Sequence, residues 1–356
     1  MSAQRRMPTM QEIADELGLS RLTISTVIND KARERGISEK TEDRVRKYLE
    51  SIGYVPSRGA RNLRYGGDLG VTGLLFSGHL YSHLTDAFLK LSGELSDPQS
   101  GWLETMLLPP QKQKEGLREM LARRVSHLVW LHADADTYEI RNPNGIIPLL
   151  RRFEHVVVYN YRYGFGQYEE RLLDAGLDLV GVDREGTFLQ LANRLRQLQH
   201  RRIGIWFPGA GEKIAASMRS QGLDVLVFGK TDFDYARMGE MIAEWVVSQN
   251  LEPEGRAGND RLSAICVGND QVAGHLMTNL IKQGIRIPED VSVVGWSGEQ
   301  VASALKVPLA TLRVPVETMK NQTLRLLDEE GAENGERYCY KGELVERKSL
   351  KARGNA

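Results

Sequence analysis

Two groups of residues in this 356-residue chain have types and spacings suited to recognition chemistry. The first lies between Ser20 and Asn29. A helix there that buries Ile24, Val27 and Ile28 turns Ser20, Arg21, Leu22, Ser25, Thr26 and Asn29 outward. Short hydroxyls, an amide, an arginine and one apolar side chain suit base edges in the DNA major groove. Arg pairs with guanine, Asn with adenine, and apolar carbon meets the thymine methyl. The second group sits at the ends of strand-like runs: Ser77, Trp130, Tyr159, Asn160, Asp183, Trp206, Asn269, Asp270, Trp296 and Ser297. Ligands of open parallel sheets bind beyond the carboxyl ends of the strands. Three of the five tryptophans fall there. Flat aromatic faces beside hydrogen-bonding groups suit a sugar-like molecule, and the alternative is that these rings plug the core.

Catalytic patterns are weaker. PGAGEK (208–213) lacks the spacing of a phosphate loop, and no G-x-S-x-G elbow occurs. His79, His83 and His132 have no metal-ligand spacing, and Asp134 and Asp136 read as solvated loop residues. No metal, cofactor or enzymatic activity is expected.

The elements that must position both groups differ in kind. Over 8–54 the pattern is three short helices, with Thr9, Ser20 and Ser38 as caps and Gly18 and Gly53 as stops. Two helices across a tight turn at Gly18 have the dimensions of a helix-turn-helix. Residues 55–68 form a boundary with one marginal helical stretch, 57–64. From 71 onward, apolar runs alternate with amphipathic helices. The runs are 71–76, 103–108, 126–131, 155–160, 179–183, 202–207, 263–267 and 291–296. Strand runs without in/out alternation, separated by helices, indicate parallel sheets covered on both faces. About 280 residues exceed one open-sheet core, so two α/β lobes are expected.

Charge fits this division. The chain is neutral overall, yet residues 1–66 carry a net +4 and the rest a net −4. Only the surface that meets phosphates matters for nucleic-acid binding, so the whole-chain sum excludes nothing. No apolar run reaches the ~18 residues of a membrane span. No apolar stretch follows the basic N-terminal residues, and two cysteines make no disulfide framework, so a cytoplasmic location is expected.

The segment MQEIADELGLSRLTISTVINDKARERGISEKTEDRVRKYLESIGYVPSRGARNL resembles the N-terminus of the lactose-repressor (LacI/GalR) family. The matching features are IA, G-x-S-x-x-T-[VI]-S-x-V-[IL]-N, S-x-x-T-x-x-[RK]-[VI] and the G-Y-x-P turn that holds Tyr54. The resemblance continues through ANRLRQLQHRRIGIW, SAICVGNDQVAGHLM, GIRIPEDVSVVGW and PLATLRVP. It implies an all-α helix-turn-helix head (1–56), a hinge helix (57–67) and a two-lobed, Rossmann-like, periplasmic-binding-protein-like ligand domain (68–350). The expected first lobe is about 70–178 plus 316–335, and the second about 179–313 plus 336–350.

The resemblance also implies roles. Arg21 and Leu22 stand where bases are read, and Thr23, Ser25 and Asn29 where phosphates are held. Arg58, Ala60 and Arg61 lie in the hinge, and Leu63 matches a minor-groove wedge. Asn269 and Arg219 match effector contacts, Tyr81 and His83 fall in the first cleft loop, and Asn160 and Phe233 complete the set. Thr26, Gly59 and Ser297 depart from the family's usual arginine, better helix former and aspartate, and Gln199 replaces a glycine. The implied function is a ligand-responsive repressor of carbohydrate genes. It would act as a homodimer on a near-palindromic operator, with a sugar-like effector and no membrane partner. The alternatives are a corepressor-type regulator answering a purine or sugar phosphate, and a transport-type solute-binding protein.

Overall fold

The computed structural model describes residues 8–28, 31–52, 54, 71–77, 82–96, 102–109, 112–132, 145–162, 169–232, 234–250, 261–328 and 335–353. The chain divides into two compact units, Met1–Leu69 and Gly70–Ala356.

The first unit holds α1 (Met10–Leu17), α2 (Arg21–Ile28) and α3 (Glu39–Ser51). Thr9 and Glu12 form a reciprocal capping box: Thr9 Oγ1 accepts the Glu12 amide at 3.2 Å and Glu12 Oε2 accepts the Thr9 amide at 2.6 Å. Gly18 ends α1 at φ 62°, a left-handed conformation that would cost a side-chain-bearing residue ~1–2 kcal/mol. The turn into α2 therefore depends on that glycine. Ile13, Ala14, Leu17, Ile24, Val27, Ala32 and Val45 make the core, with Tyr48, Leu49 and Ile52 packed against it. The Arg44 guanidinium donates to the Leu17 carbonyl at 2.6 Å, which ties α3 to the end of α1.

The second unit contains two six-stranded sheets. The first runs β2 (Trp102–Leu108), β1 (Val71–Ser77), β3 (His127–His132), β4 (His155–Arg162), β5 (Asp178–Asp183), β11 (Arg337–Lys341). The second runs β7 (Asp224–Val227), β6 (Arg202–Trp206), β8 (Ala264–Val267), β9 (Ser292–Ser297), β10 (Ala310–Arg313), β12 (Glu343–Val345). The two orders are the same, although the sequence carries no detectable repeat. All pairings are parallel except β10 with β12. Helices α4 (Ser82–Leu95), α5 (Gln113–Ala122), α6 (Ile147–Leu150) and α7 (Glu169–Leu173) belong to the first lobe. Helices α8 (Arg184–Gln197), α9 (Gly211–Ser220), α10 (Tyr235–Asn250), α11 (Asp270–Lys282) and α12 (Val301–Ala304) belong to the second. Helix α13 (Val316–Asp328) returns to pack on α4, β4 and β5. Every residue of β9 is buried, as expected for a central strand covered on both faces.

The lobe boundaries need correction. β5 and β11 pair in the first sheet, so the first lobe runs through Asp183 and regains 337–341, where the sequence assigned both segments to the second. Backbone ladders, not composition, decide this membership. The chain crosses between lobes after Asp183, between Arg313 and Val316, and between Lys341 and Glu343. One side chain joins these passages. Thr187 Oγ1 donates to the Asp183 carbonyl at 2.5 Å and accepts the Gly342 amide at 2.8 Å. A Cβ on Gly342 would lie 2.9 Å from the Arg313 carbonyl oxygen, so only glycine lets the three strands of chain come this close.

Candidate nucleic-acid interface and ligand cleft

The head presents the N-terminal half of α2. Arg21 is exposed, and Leu22 is 67% exposed, whereas Ile24 and Val27 on the same helix are buried and Ile28 is partly so. Ser20 and Thr23 act first as a cap: their hydroxyls pair at 2.8 Å and Ser20 Oγ accepts the Thr23 amide at 3.0 Å. This fixes the direction in which Arg21 and Leu22 leave the helix. The Thr26 hydroxyl donates to the Leu22 carbonyl at 2.8 Å. Ser25 is a correction. It is 4% exposed, on the stripe with Ile24 that faces the three-helix core, and not on the solvent face. Tyr54 is half-buried against the head core, and its amide donates to the Leu49 carbonyl. Acids of α3 are offset on their own helix, Glu42 by Arg46 and Asp43 by Lys47, each at 2.7 Å. Asn29, Arg58, Ala60, Arg61 and Leu63 lie outside the described residues.

In the second unit a cleft of about 870 Å³ opens between the lobes at the carboxyl ends of the strands. The first lobe contributes His83, Asp86 and Lys90 from α4 and Glu317 and Thr318 from α13. The second contributes Gln271, Ser297–Gln300 and Arg313. His83 Nδ1 meets Ser297 Oγ across the cleft at 3.2 Å. The charges are internally matched: Lys90 lies 3.0 Å from Asp86 and 2.7 Å from Glu317, and Lys320 lies 3.2 Å from Glu317 and 3.0 Å from Glu94. Hydrogen bonding to Glu317 raises the Lys90 ammonium pKa, and the same contact lowers the Glu317 carboxyl.

Among the described residues, four non-glycine residues have positive φ. Arg124 and Gln199 simply end α5 and α8, where a left-handed residue is the common stop. Asn160 (φ 65°) instead lies inside β4 in the first lobe, and Ser297 (φ 116°) ends β9 beside the cleft in the second. Such strain persists where surrounding contacts impose it. At Asn160 the register of β4 against β5 also shifts. At Ser297 the imposing group is Asp270, which sequence reasoning placed at a strand end without a role. Asp270 Oδ1 accepts from the Thr311 hydroxyl at 2.6 Å and Oδ2 from the Glu299 amide at 2.7 Å. Gly295 on β9 leaves room for this carboxylate, since a Cβ there would collide with it. Burial raises the Asp270 carboxyl to about 7, against the lowering effect of these hydrogen bonds.

Several expected effector contacts are used otherwise. Trp296 is stacked on Phe188 (5.5 Å, 6°), edge-on to Phe207 (5.3 Å), and has the Arg184 guanidinium 5.7 Å from its ring centre. Trp206 is buried and donates Nε1–H to the Lys230 carbonyl at 2.9 Å, and Trp130 is wholly buried. All three are core rings, and none lines the cleft described above. Asp183 caps α8 by accepting the Gly186 amide at 2.7 Å, so its carboxylate serves a helix start. Arg219 donates to the Val225 carbonyl at 2.6 and 3.1 Å and to Glu212. It stands in the last turn of α9 beside the start of β7, the end of the sheet away from the cleft. Asn269 Oδ1 caps α11 through the Gln271 and Val272 amides at 2.8 and 3.0 Å. Ser77 ends β1, while Tyr81 and Phe233 lie outside the described residues.

The arrangement can grip a polar molecule from both lobes. It is poorly built for acyl transfer. A Ser–His pair at 3.2 Å needs nearby amide donors for an oxyanion. The amides next to Ser297 are committed, Gly298 to Thr311 Oγ1 and Glu299 to Asp270.

Residues 9–57 match the model of bacterial regulatory proteins of the lacI family, and residues 192–350 match a periplasmic binding protein-like domain. The chain is 25% identical over 339 residues to the HTH-type transcriptional repressor PurR of Vibrio vulnificus, covering 90% of this chain and 91% of that one. It is 25% identical over 332 residues to the HTH-type transcriptional regulator CelR of Thermobifida fusca, covering 91% and 92%. In structure it superposes on the lac repressor dimer bound to operator and the anti-inducer ONPF with a TM-score of 0.68 at 19% identity, covering 97% and 99%. It superposes on a CelR–cellobiose complex with a TM-score of 0.61 at 20% identity, covering 96% and 100%.

Proposed function

We propose that this chain is a LacI-type transcriptional repressor whose operator affinity is set by a small molecule in the interlobe cleft. The observation that carries this reading is the pairing of two features in one chain. A capped helix-turn-helix holds Arg21 and Leu22 outward, and a two-lobed domain bears a polar cleft. The head reads half-sites through Arg21 and Leu22, with Ser20, Thr23 and Thr26 fixing α2 against the backbone and Leu63 as the central wedge. A ligand that touches both lobes binds one lobe arrangement better than another, and only that difference shifts the DNA-competent population.

The protein acts as a homodimer on a near-palindromic site. Support comes from β2, the outermost strand of its sheet, where Leu107 is 51% exposed. An apolar sheet edge of this kind is usually covered by another chain. The protein works by binding and not by turnover, in the cytoplasm. Among the described residues no helix is long and apolar enough to cross a membrane.

The effector is a sugar-like molecule held by hydrogen bonds, with His83 and Ser297, which face each other across the cleft, as its candidate contacts. A second reading, a purine or sugar phosphate acting as corepressor, is kept open by Ser297, which stands where the family often has aspartate, since losing that carboxylate removes a usual contact of a monosaccharide.

Selection of bound duplexes from a random pool, using the full chain, tests the proposal. Two half-sites related by a dyad are expected, and Arg21→Ala should weaken one base position by ~1–3 kcal/mol. Enrichment of no duplex, or of single unpaired sites, refutes it. Thermal-shift screening against sugars, sugar phosphates and purines then separates the effector readings, since a bound ligand raises stability by mass action.

A further inference from the structure

Asp270 lies beneath the second lobe's side of the cleft, wholly buried, at the first position of α11. Three elements converge on it. From β10, Thr311 donates its hydroxyl to Oδ1. From the loop after β9, the Glu299 amide donates to Oδ2. Thr311 Oγ1 in turn accepts the Gly298 amide at 3.3 Å. The carboxylate therefore fixes both residues that follow Ser297, directly at Glu299 and through Thr311 at Gly298.

Those two anchors force the backbone at Ser297 and Gly298 into successive positive φ values, 116° and 77°. With φ so placed, the Ser297 hydroxyl reaches out of the second lobe to His83 Nδ1 in the first. An extended Ser297 would carry its side chain in another direction, because φ rotates Cβ about the N–Cα bond. Serine gains nothing locally from this conformation, so its cost must be met by the anchors.

We infer that Asp270 is a positioning residue of the cleft: it holds the 297–299 turn in the one shape that lets Ser297 engage His83, and so sets the contact between the two lobes. The inference deepens the reading of the cleft as the effector site and rests on it for its biological meaning, but the geometry is independent of any ligand. It also assigns the glycine of the VVGW run on β9. Gly295 is the space the carboxylate occupies.

The test uses the full chain labelled at histidine nitrogens, without effector. Ser297→Ala removes the Nδ1 partner and defines the full shift of the His83 resonance. Asp270→Asn should reproduce at least about half of that shift, because a side-chain amide keeps only one acceptor oxygen and cannot serve both the Thr311 hydroxyl and the Glu299 N–H. Resonances of His155 and His200, which lie away from the cleft, should stay in place. Exchange of the Glu299 amide should rise by about tenfold. If Asp270→Asn does not fold, Thr311→Val serves instead, since it deletes the hydroxyl that ties Gly298 to the carboxylate. A His83 resonance that moves in Ser297→Ala but stays fixed in the anchor variant overturns the inference. A failed ligand screen with the expected shifts intact would instead overturn the effector reading alone.

Discussion

Replacing Thr187 with valine should cost about 2–3 kcal/mol of stability with little change in shape. The side chain is fully buried, and valine has nearly the same volume. What changes is the hydroxyl, which donates to the Asp183 carbonyl at 2.5 Å and accepts the Gly342 amide at 2.8 Å. A net hydrogen bond is worth ~1 kcal/mol, while a buried donor left without a partner costs ~1–3 kcal/mol. Gly342 cannot move to seek another acceptor, because a Cβ-sized gap is all that separates it from Arg313. Thr187→Ser keeps the hydroxyl and loses one buried methyl, so it should cost only ~1 kcal/mol. Urea unfolding of the full chain, followed by tryptophan fluorescence, measures both. A larger loss for serine than for valine would show that packing matters there more than the hydroxyl. A loss below about 0.5 kcal/mol for valine would refute the idea that one side chain joins the crossovers.

Three further outcomes are expected. Gln199→Gly should raise stability by ~0.5–1 kcal/mol, because Gln199 is exposed and holds φ 62° at the stop of α8, read from the shift of the melting temperature; a lower melting temperature contradicts the conformational argument. Trp296→Ala should cost ~3–5 kcal/mol through the hole left among Phe188, Phe207 and Arg184, and an unchanged melting temperature with a lost ligand response would restore the stacking role. Asp270 binds its proton more tightly folded than unfolded, since burial raises its carboxyl to about 7. Its contribution to stability is therefore full below the ordinary carboxylate range and lost as pH rises through about 7. The groups facing Asp270 are the Thr311 hydroxyl, the Gly298 and Glu299 amides and the Glu299 carboxylate. Asp270→Asn should flatten the decline in melting temperature between about pH 5 and pH 8, and parallel profiles for the two proteins would show that Asp270 does not titrate there.

The capped helices of the head were readable because each signal is local: Thr9 with Glu12, Ser38 before α3, and Gly18 between two apolar stripes. Central strands such as β8 and β9 were readable because burial on both faces leaves uninterrupted apolar runs. β7, β10, β11 and β12 were not, because they are three to five residues long and several lie half-buried at an edge. The cleft was legible in position and only partly in detail. The end of a strand is where a ligand binds, and it is also where the next helix needs its cap. Asp183 and Asn269 stand at such junctions, and the structure spends their oxygens on α8 and α11. Whether a tryptophan faces cleft or core depends on a partner far along the chain, as Phe188 is from Trp296. Asp270 could have been found from its neighbour in space, since a glycine inside an apolar strand signals close approach by another group.

The outer strands β11 and β12 come from one short stretch, 337–345, and complete both sheets at once. During synthesis the head is finished within the first sixty-nine residues, long before either lobe has its last strand. A ribosome that stops between residues 328 and 337 therefore releases the three-helix head attached to two sheets that each lack their last strand. Nonsense mutations within that interval should behave alike. Each is expected to yield a product prone to aggregate through those open edges.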